Sequence, residues 1–126
     1  MDLNTTYEAI RISSGNSFVH ETESQVILNG SRDINFTMDL VVKDISLFQD
    51  IAERAEVPLE VSPLLIEMFK DGIARYGSRE LSPNIMKRLE DATGLDVRAS
   101  GFPSEILDDE PEEPGYEVVS KSKQLA

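Results

Sequence analysis

The segment from Phe36 to Ala55, FTMDLVVKDISLFQDIAERA, constrains this chain more than any other. At about 100° per residue, Leu40, Val41, Ile45, Leu47, Phe48, Ile51, Ala52 and Ala55 form one apolar stripe. The stripe fills a little under half of the circumference. Such a width predicts a helix in contact with more than one neighbouring element. Asp44 falls close to the centre of the stripe, while Lys43 lies on the polar arc with Asp39, Ser46 and Asp50. A carboxylate among apolar side chains is costly unless it is paired or hydrogen-bonded. Asp44 is therefore read in two ways: as an acceptor for a helix N-terminus or a core base, or as a group with a chemical task. The plain reading of Lys43 is a solvated lysine paired with Asp39 four residues back.

Punctuation residues divide the rest of the chain. A first helix is expected from about Asn4 to Ser13, with Tyr7, Ile10 and Leu3 inward and Gly15 ending it. Asn16 or Ser17 can cap a second, with Val19, Val26 and Ile27 as its apolar positions and Asn29-Gly30 as its stop. Asn35 is the expected cap of the long third helix, and Pro58 forces a break after it. Ser62-Pro63 reads as an N-cap followed by proline at the first helical position, opening a fourth helix that closes on Tyr76-Gly77. Ser82-Pro83 repeats the device for a fifth, closing at Thr93-Gly94. Tyr116 to Val119 is the one weak strand candidate. The fold class expected is all-α, with about five helices over residues 1–97.

From Arg98 the helical period is lost. Glu105 to Glu117 holds seven acids, two prolines and no base, a density of like charge that resists a packed core. Residues 98–126 are expected to be an acidic, proline-rich tail. A second reading has Phe102, Ile106 and Leu107 anchoring a strap across a neighbouring surface.

With 126 residues, the length suits one modest domain. A formal net charge of -12 argues against nucleic acid and against an anionic membrane surface. The absence of cysteine removes disulfides and thiolate metal sites, and His20 stands alone, so no histidine cluster exists for a metal. His20 is read as a surface or capping residue and the methionines as core filler. Neither a signal peptide nor a membrane span is visible, and a cytoplasmic chain is expected.

Several features, taken in order, resemble the C-terminal helical domain of the β-hydroxyacid dehydrogenase family, the group of 3-hydroxyisobutyrate dehydrogenase, with the 6-phosphogluconate dehydrogenase type of helical fold. They are Phe36-x-x-x-Leu40 before Lys43-Asp44, the turn from Ala52 to Val57-Pro58-Leu59, and the closure on Tyr76-Gly77. Upstream, Ser13-Ser14-Gly15-Asn16-Ser17 resembles the family's serine-glycine loop, and MDLNTTYEAI its helix entry with Met1 in place of glycine. The resemblance covers Met1 to about Leu95. It implies that Lys43 reaches a bound nicotinamide cofactor, NAD or NADP. It also implies that Phe36, Asp44 and Phe18 line the substrate pocket, Phe18 standing where the family often has tryptophan.

The chemistry implied is hydride transfer between NAD(P) and a short β-hydroxyacid, in which the protein binds and aims the cofactor and supplies a proton donor or acceptor. Two parts of that machinery are absent from these 126 residues. There is no G-x-G-x-x-G turn for a pyrophosphate, and the family's general acid/base lysine lies on a helix upstream of the part matched here. No catalytic residue is therefore assigned. The expectation is the C-terminal part of an oxidoreductase, inactive by itself, partnered by a nucleotide-binding domain and forming a homo-oligomer through exposed apolar surface. The alternative is a non-enzymatic interaction module that keeps the fold and has lost the chemistry.

Overall fold

A computed structural model describes residues 1–107. Its helices are α1 (Leu3–Arg11), α2 (Phe18–Asn29), α3 (Met38–Arg54), α4 (Val61–Tyr76), a 3-10 helix (Ser82–Met86) and α5 (Lys87–Thr93). No strand occurs among the described residues, so the all-α expectation holds. None of these helices is long and apolar enough to cross a membrane. The weak strand candidate at Tyr116 to Val119 and the acidic run beyond Leu107 lie outside the described residues.

Local chemistry sets most helix ends. The Asp2 carboxylate accepts from the Thr5 amide at 2.8 Å and starts α1 at Leu3, one residue ahead of the expected Asn4. Ser17 Oγ accepts from the His20 amide at 3.0 Å and starts α2, which stops at Gly30 in the left-handed conformation. Both ends of α2 agree with the sequence.

The start of α3 does not. Asn35 is left-handed (φ 52°) and outside the helix, and α3 begins at Met38. Phe36 and Thr37 are instead extended against the loop before the 3-10 helix. Ser82 N–H donates to the Phe36 carbonyl at 2.7 Å, and Thr37 pairs with Leu81 as an isolated bridge. The amides of Met38 and Asp39 donate to the carbonyls of Glu80 and Ser78 at 2.9 and 3.1 Å. Backbone carbonyls thus satisfy the first α3 amides, which a side-chain cap would otherwise serve.

The two Ser-Pro devices also differ from expectation. Ser62 lies inside α4, buried and without a capping bond, and the helix starts one residue earlier at Val61. Ser82-Pro83 opens the 3-10 helix rather than a single long α-helix; α5 follows it directly and ends at left-handed Gly94.

The helices sort into two groups. α1 and α2 pack on each other as a hairpin, while α3, α4, the 3-10 helix and α5 form a body built on the long α3–α4 contact. Gly72 lets that body close up: a Cβ there would stand 2.7 Å from Ile85 Cδ1 and 3.0 Å from Met38 Sδ. Among the described residues, Met38 and Val26 are the fully enclosed large side chains. Residues 98–104 run back along the end of α2. There the Ala99 amide donates to Leu28 O at 2.9 Å, Asn29 Nδ2 to Phe102 O at 2.8 Å and Ser31 Oγ to Ser104 O at 2.6 Å. Phe102 sets its edge against the Tyr7 ring, whereas Ile106 and Leu107 are exposed.

Candidate functional site

The apolar stripe of α3 is divided by its neighbours. Met38 and Ala52 are buried, and Val41 and Ile45 are half-buried. Leu47, Phe48 and Ile51 are mostly exposed, and across the turn Val57, Val61 and Leu64 continue the uncovered apolar surface. Between the two sets runs a cleft of about 670 Å³ lined by Ile45, Phe48, Leu59, Val61 and Leu65, with Asp44, Glu60 and Ser62 as its polar members. The buried hydroxyl oxygen of Ser62 has no hydrogen-bond partner.

Asp44 belongs to this open cleft and not to a closed core, which corrects the reading of a carboxylate satisfied inside a packed interface. Its side chain is 54% exposed, and its partner is Lys43, Nζ to Oδ1 at 3.0 Å. Lys43, 59% exposed, therefore pairs with its chain neighbour rather than with Asp39. Asp39 has its own partners, the Thr37 hydroxyl and Arg79 at 3.2 Å. The Thr37 hydrogen bond, helped by Arg79, holds the Asp39 carboxyl below the usual carboxylate range. Wheel angles place a residue relative to its own helix axis; they leave open which part of a wide stripe a neighbour covers.

Phe36 stands elsewhere. It lines a second cavity of about 440 Å³ between the hairpin and the body, together with Val19, Ile27, Val41, Phe69 and Met86. Phe18, at the first position of α2, is 82% exposed and lines neither this cavity nor the α3–α4 cleft. Of the four residues singled out from the sequence, the structure joins Lys43 to Asp44 and leaves Phe36 and Phe18 apart.

Sequence reasoning passed over a second polar cluster. Arg32 is 3% exposed and left-handed (φ 55°). Its guanidinium donates to Asn84 Oδ1 at 3.0 Å and to Glu90 Oε1 at 2.5 Å. Burial pushes the Glu90 carboxyl up, but the Val97 amide and Arg32 outweigh it and hold the group below its ordinary value. No local pattern marks Arg32, because its partners come from the 3-10 helix and α5.

The residues present fit one contact to a dinucleotide. Lys43 offers an accessible cation beside an apolar wall, suited to a phosphate oxygen or a ribose hydroxyl. Asp44 and Glu60 border the cleft itself, so its polar edge is acidic and disfavours an anionic group on the cleft floor.

Residues 1–88 match a family described as NAD-binding of NADP-dependent 3-hydroxyisobutyrate dehydrogenase. The chain is 32% identical over 94 residues to 2-(hydroxymethyl)glutarate dehydrogenase of Eubacterium barkeri, a match covering 74% of this chain and 31% of that protein. It is 27% identical over 79 residues to L-threonate dehydrogenase of Escherichia coli K12, covering 62% of this chain and 26% of the relative. The matched stretch is thus about a third or less of each relative's length.

Proposed function

This chain belongs to the β-hydroxyacid dehydrogenase family, and from that premise we propose that it serves as the C-terminal helical part of an NAD(P)-dependent oxidoreductase acting on a short β-hydroxyacid. The observation that carries the reading is the Lys43–Asp44 pair, open to solvent at the rim of an apolar cleft, in a chain matched along residues 1–88 to a nucleotide-binding family.

The cofactor, when bound, supplies the hydride acceptor or donor. The chain's own residues do the rest of what is assigned here. Lys43 gives a cationic contact to the cofactor from the outer side of α3. Asp44 orients that ammonium and presents its second oxygen to a donor on the partner that covers the cleft. Phe36 and Phe18 are assigned to the substrate side, Phe36 from its half-buried position and Phe18 from the exposed start of α2. Because no G-x-G-x-x-G turn is present in the sequence, the chain by itself is assigned no turnover. A nucleotide-binding domain, or a second copy, docks on the uncovered face of α3 and α4 and buries Phe48, Ile51 and Val61.

The uncovered face also favours a second reading, a helical interaction module without chemistry. The two separate in a chimera in which this chain replaces the matching stretch of 2-(hydroxymethyl)glutarate dehydrogenase. The enzyme reading expects an active chimera in which Lys43→Ala raises the cofactor KM by about ten-fold or more, the scale of one lost charge-assisted hydrogen bond. An active chimera whose cofactor KM ignores Lys43→Ala would remove the role given to Lys43. A folded, inactive chimera favours the module.

A further inference from the structure

We propose that the segment 97–104 is a latch that holds the α1–α2 hairpin against the body beside the open cavity lined by Phe36, so that its release widens access to that cavity. The importance of that access rests on the substrate-side role proposed for Phe36; the latch itself does not.

Three sets of observations carry this. The hairpin and the body are each packed within themselves, and the helix backbones of the two come close at few points. Two apolar cavities lie between them. The cavity of about 440 Å³ is bounded by Val19, Glu23 and Ile27 of α2 on one side and by Phe36, Phe69 and Met86 on the other. A second cavity, about 290 Å³, lies beyond the same Ile27 and Met86 and is walled by Tyr7, Leu28 and Val97. Apolar volume thus lies unfilled on both sides of Ile27 and Met86, an arrangement that forfeits contact energy and eases separation.

The linker joining hairpin to body has the form of a hinge. Gly30, Arg32 and Asn35 all take positive φ (91°, 55° and 52°) within six residues, an uncommon conformation for arginine. Its attachment to the body is the buried Arg32 guanidinium on Asn84 and Glu90.

The strap ties the hairpin beside this linker and at Tyr7. Its first amide, Val97, donates at 2.8 Å to Glu90 Oε1, the oxygen that also receives Arg32, so hinge and strap share one anchor. The Arg98 side chain then lies over Gly30 so closely that a Cβ there would meet its guanidinium carbon at 2.8 Å. Ala99, Asn29 and Ser31 make the strap-to-hairpin hydrogen bonds, and Phe102 closes on Tyr7 at a ring separation of 5.1 Å. Tyr7 is in turn stacked on His20 at 4.9 Å, so the ring of Phe102 reaches both helices of the hairpin through one aromatic contact. The family match ends at residue 88, before the strap begins.

The test is amide hydrogen exchange on the full chain, comparing the parent with Phe102→Ala and with the milder Asn29→Ala, which reads the same contact should the first not fold. Both variants are expected to speed exchange of amides in residues 3–29 by about ten-fold or more, with amides of α3 and α4 unchanged, as local opening requires. A uniform increase through α3 and α4 would mean that the strap contributes only to global stability. Faster exchange confined to residues 97–104, or no change at all, would show that the hairpin does not depend on the strap. Either result overturns the proposal while leaving the roles of Lys43 and Phe36 untouched.

Discussion

Arg32 and Glu90 form a buried ion pair of 2.5 Å across the join between hairpin and body, with side-chain exposures of 4% and 13%. Removing one partner of such a pair leaves the other charge buried and unpaired, at a cost of about 3–5 kcal/mol. Arg32→Ala is therefore expected to lower the urea midpoint sharply, and Glu90→Ala comparably. In a double-mutant cycle the double variant should lose much less than the sum of the two. Additive losses would show that the pair is not coupled.

Glu90 also sets an acid limit. Its carboxyl is held below the ordinary glutamate value in the folded chain, and so is that of Glu80. For Glu80, burial pushes up, while the Leu81 amide and Lys87 pull down and prevail. A group with a depressed folded pKa adds stability that is complete above its unfolded value and disappears as pH falls through the folded one. The melting temperature should therefore be independent of pH near neutrality as far as these groups are concerned, and should drop as pH falls below the ordinary glutamate range. Thermal unfolding followed by circular dichroism at a series of pH values checks this, and Glu90→Gln should flatten part of the acid limb.

Gly72 is a point of close approach in the α3–α4 body. Since an added Cβ meets Ile85 Cδ1 and Met38 Sδ at or under 3.0 Å, Gly72→Ala is expected to cost about 1–3 kcal/mol through overpacking. Ile85→Val in the same chain removes the nearest methyl and should recover part of the loss. Greater stability for Gly72→Ala alone, from the better helix propensity of alanine, would mean that the contact relaxes freely.

Ile51 probes the uncovered stripe. It is 65% exposed, so Ile51→Lys should shift the stability of the chain alone by no more than about 0.5 kcal/mol, as surface changes do. The same change should weaken docking of a nucleotide-binding part, measurable by light scattering or by a pull-down. A large loss of stability in the isolated chain would place Ile51 in an intramolecular contact.

Where the determinants are local, the sequence already shows them. Ser17 and Gly30 bound α2 because a capping hydroxyl and a left-handed glycine act within a turn of the helix. Phe36 to Ala55 reads as helical through most of its length for the same reason. Its first two residues are extended because the Ser82 N–H pairs with the Phe36 carbonyl and Thr37 bridges to Leu81, and no local pattern announces partners so distant in the chain. The wheel found Asp44 on the apolar stripe yet could not say which half of the stripe is packed. Lys43 gives no signal on the wheel at all; only the resemblance of Lys43-Asp44 to a dehydrogenase motif singled it out.

The most direct test of the enzyme assignment is to add the nucleotide-binding part of 2-(hydroxymethyl)glutarate dehydrogenase in trans to the full chain and follow NAD(P)H absorbance with a short β-hydroxyacid. That part should carry the helix that precedes the matched stretch. The account predicts no turnover from either piece alone, turnover from the mixture, and loss of most of it with Lys43→Glu. A folded chain that restores no turnover at any ratio, or a chain that turns over substrate unaided, would contradict it.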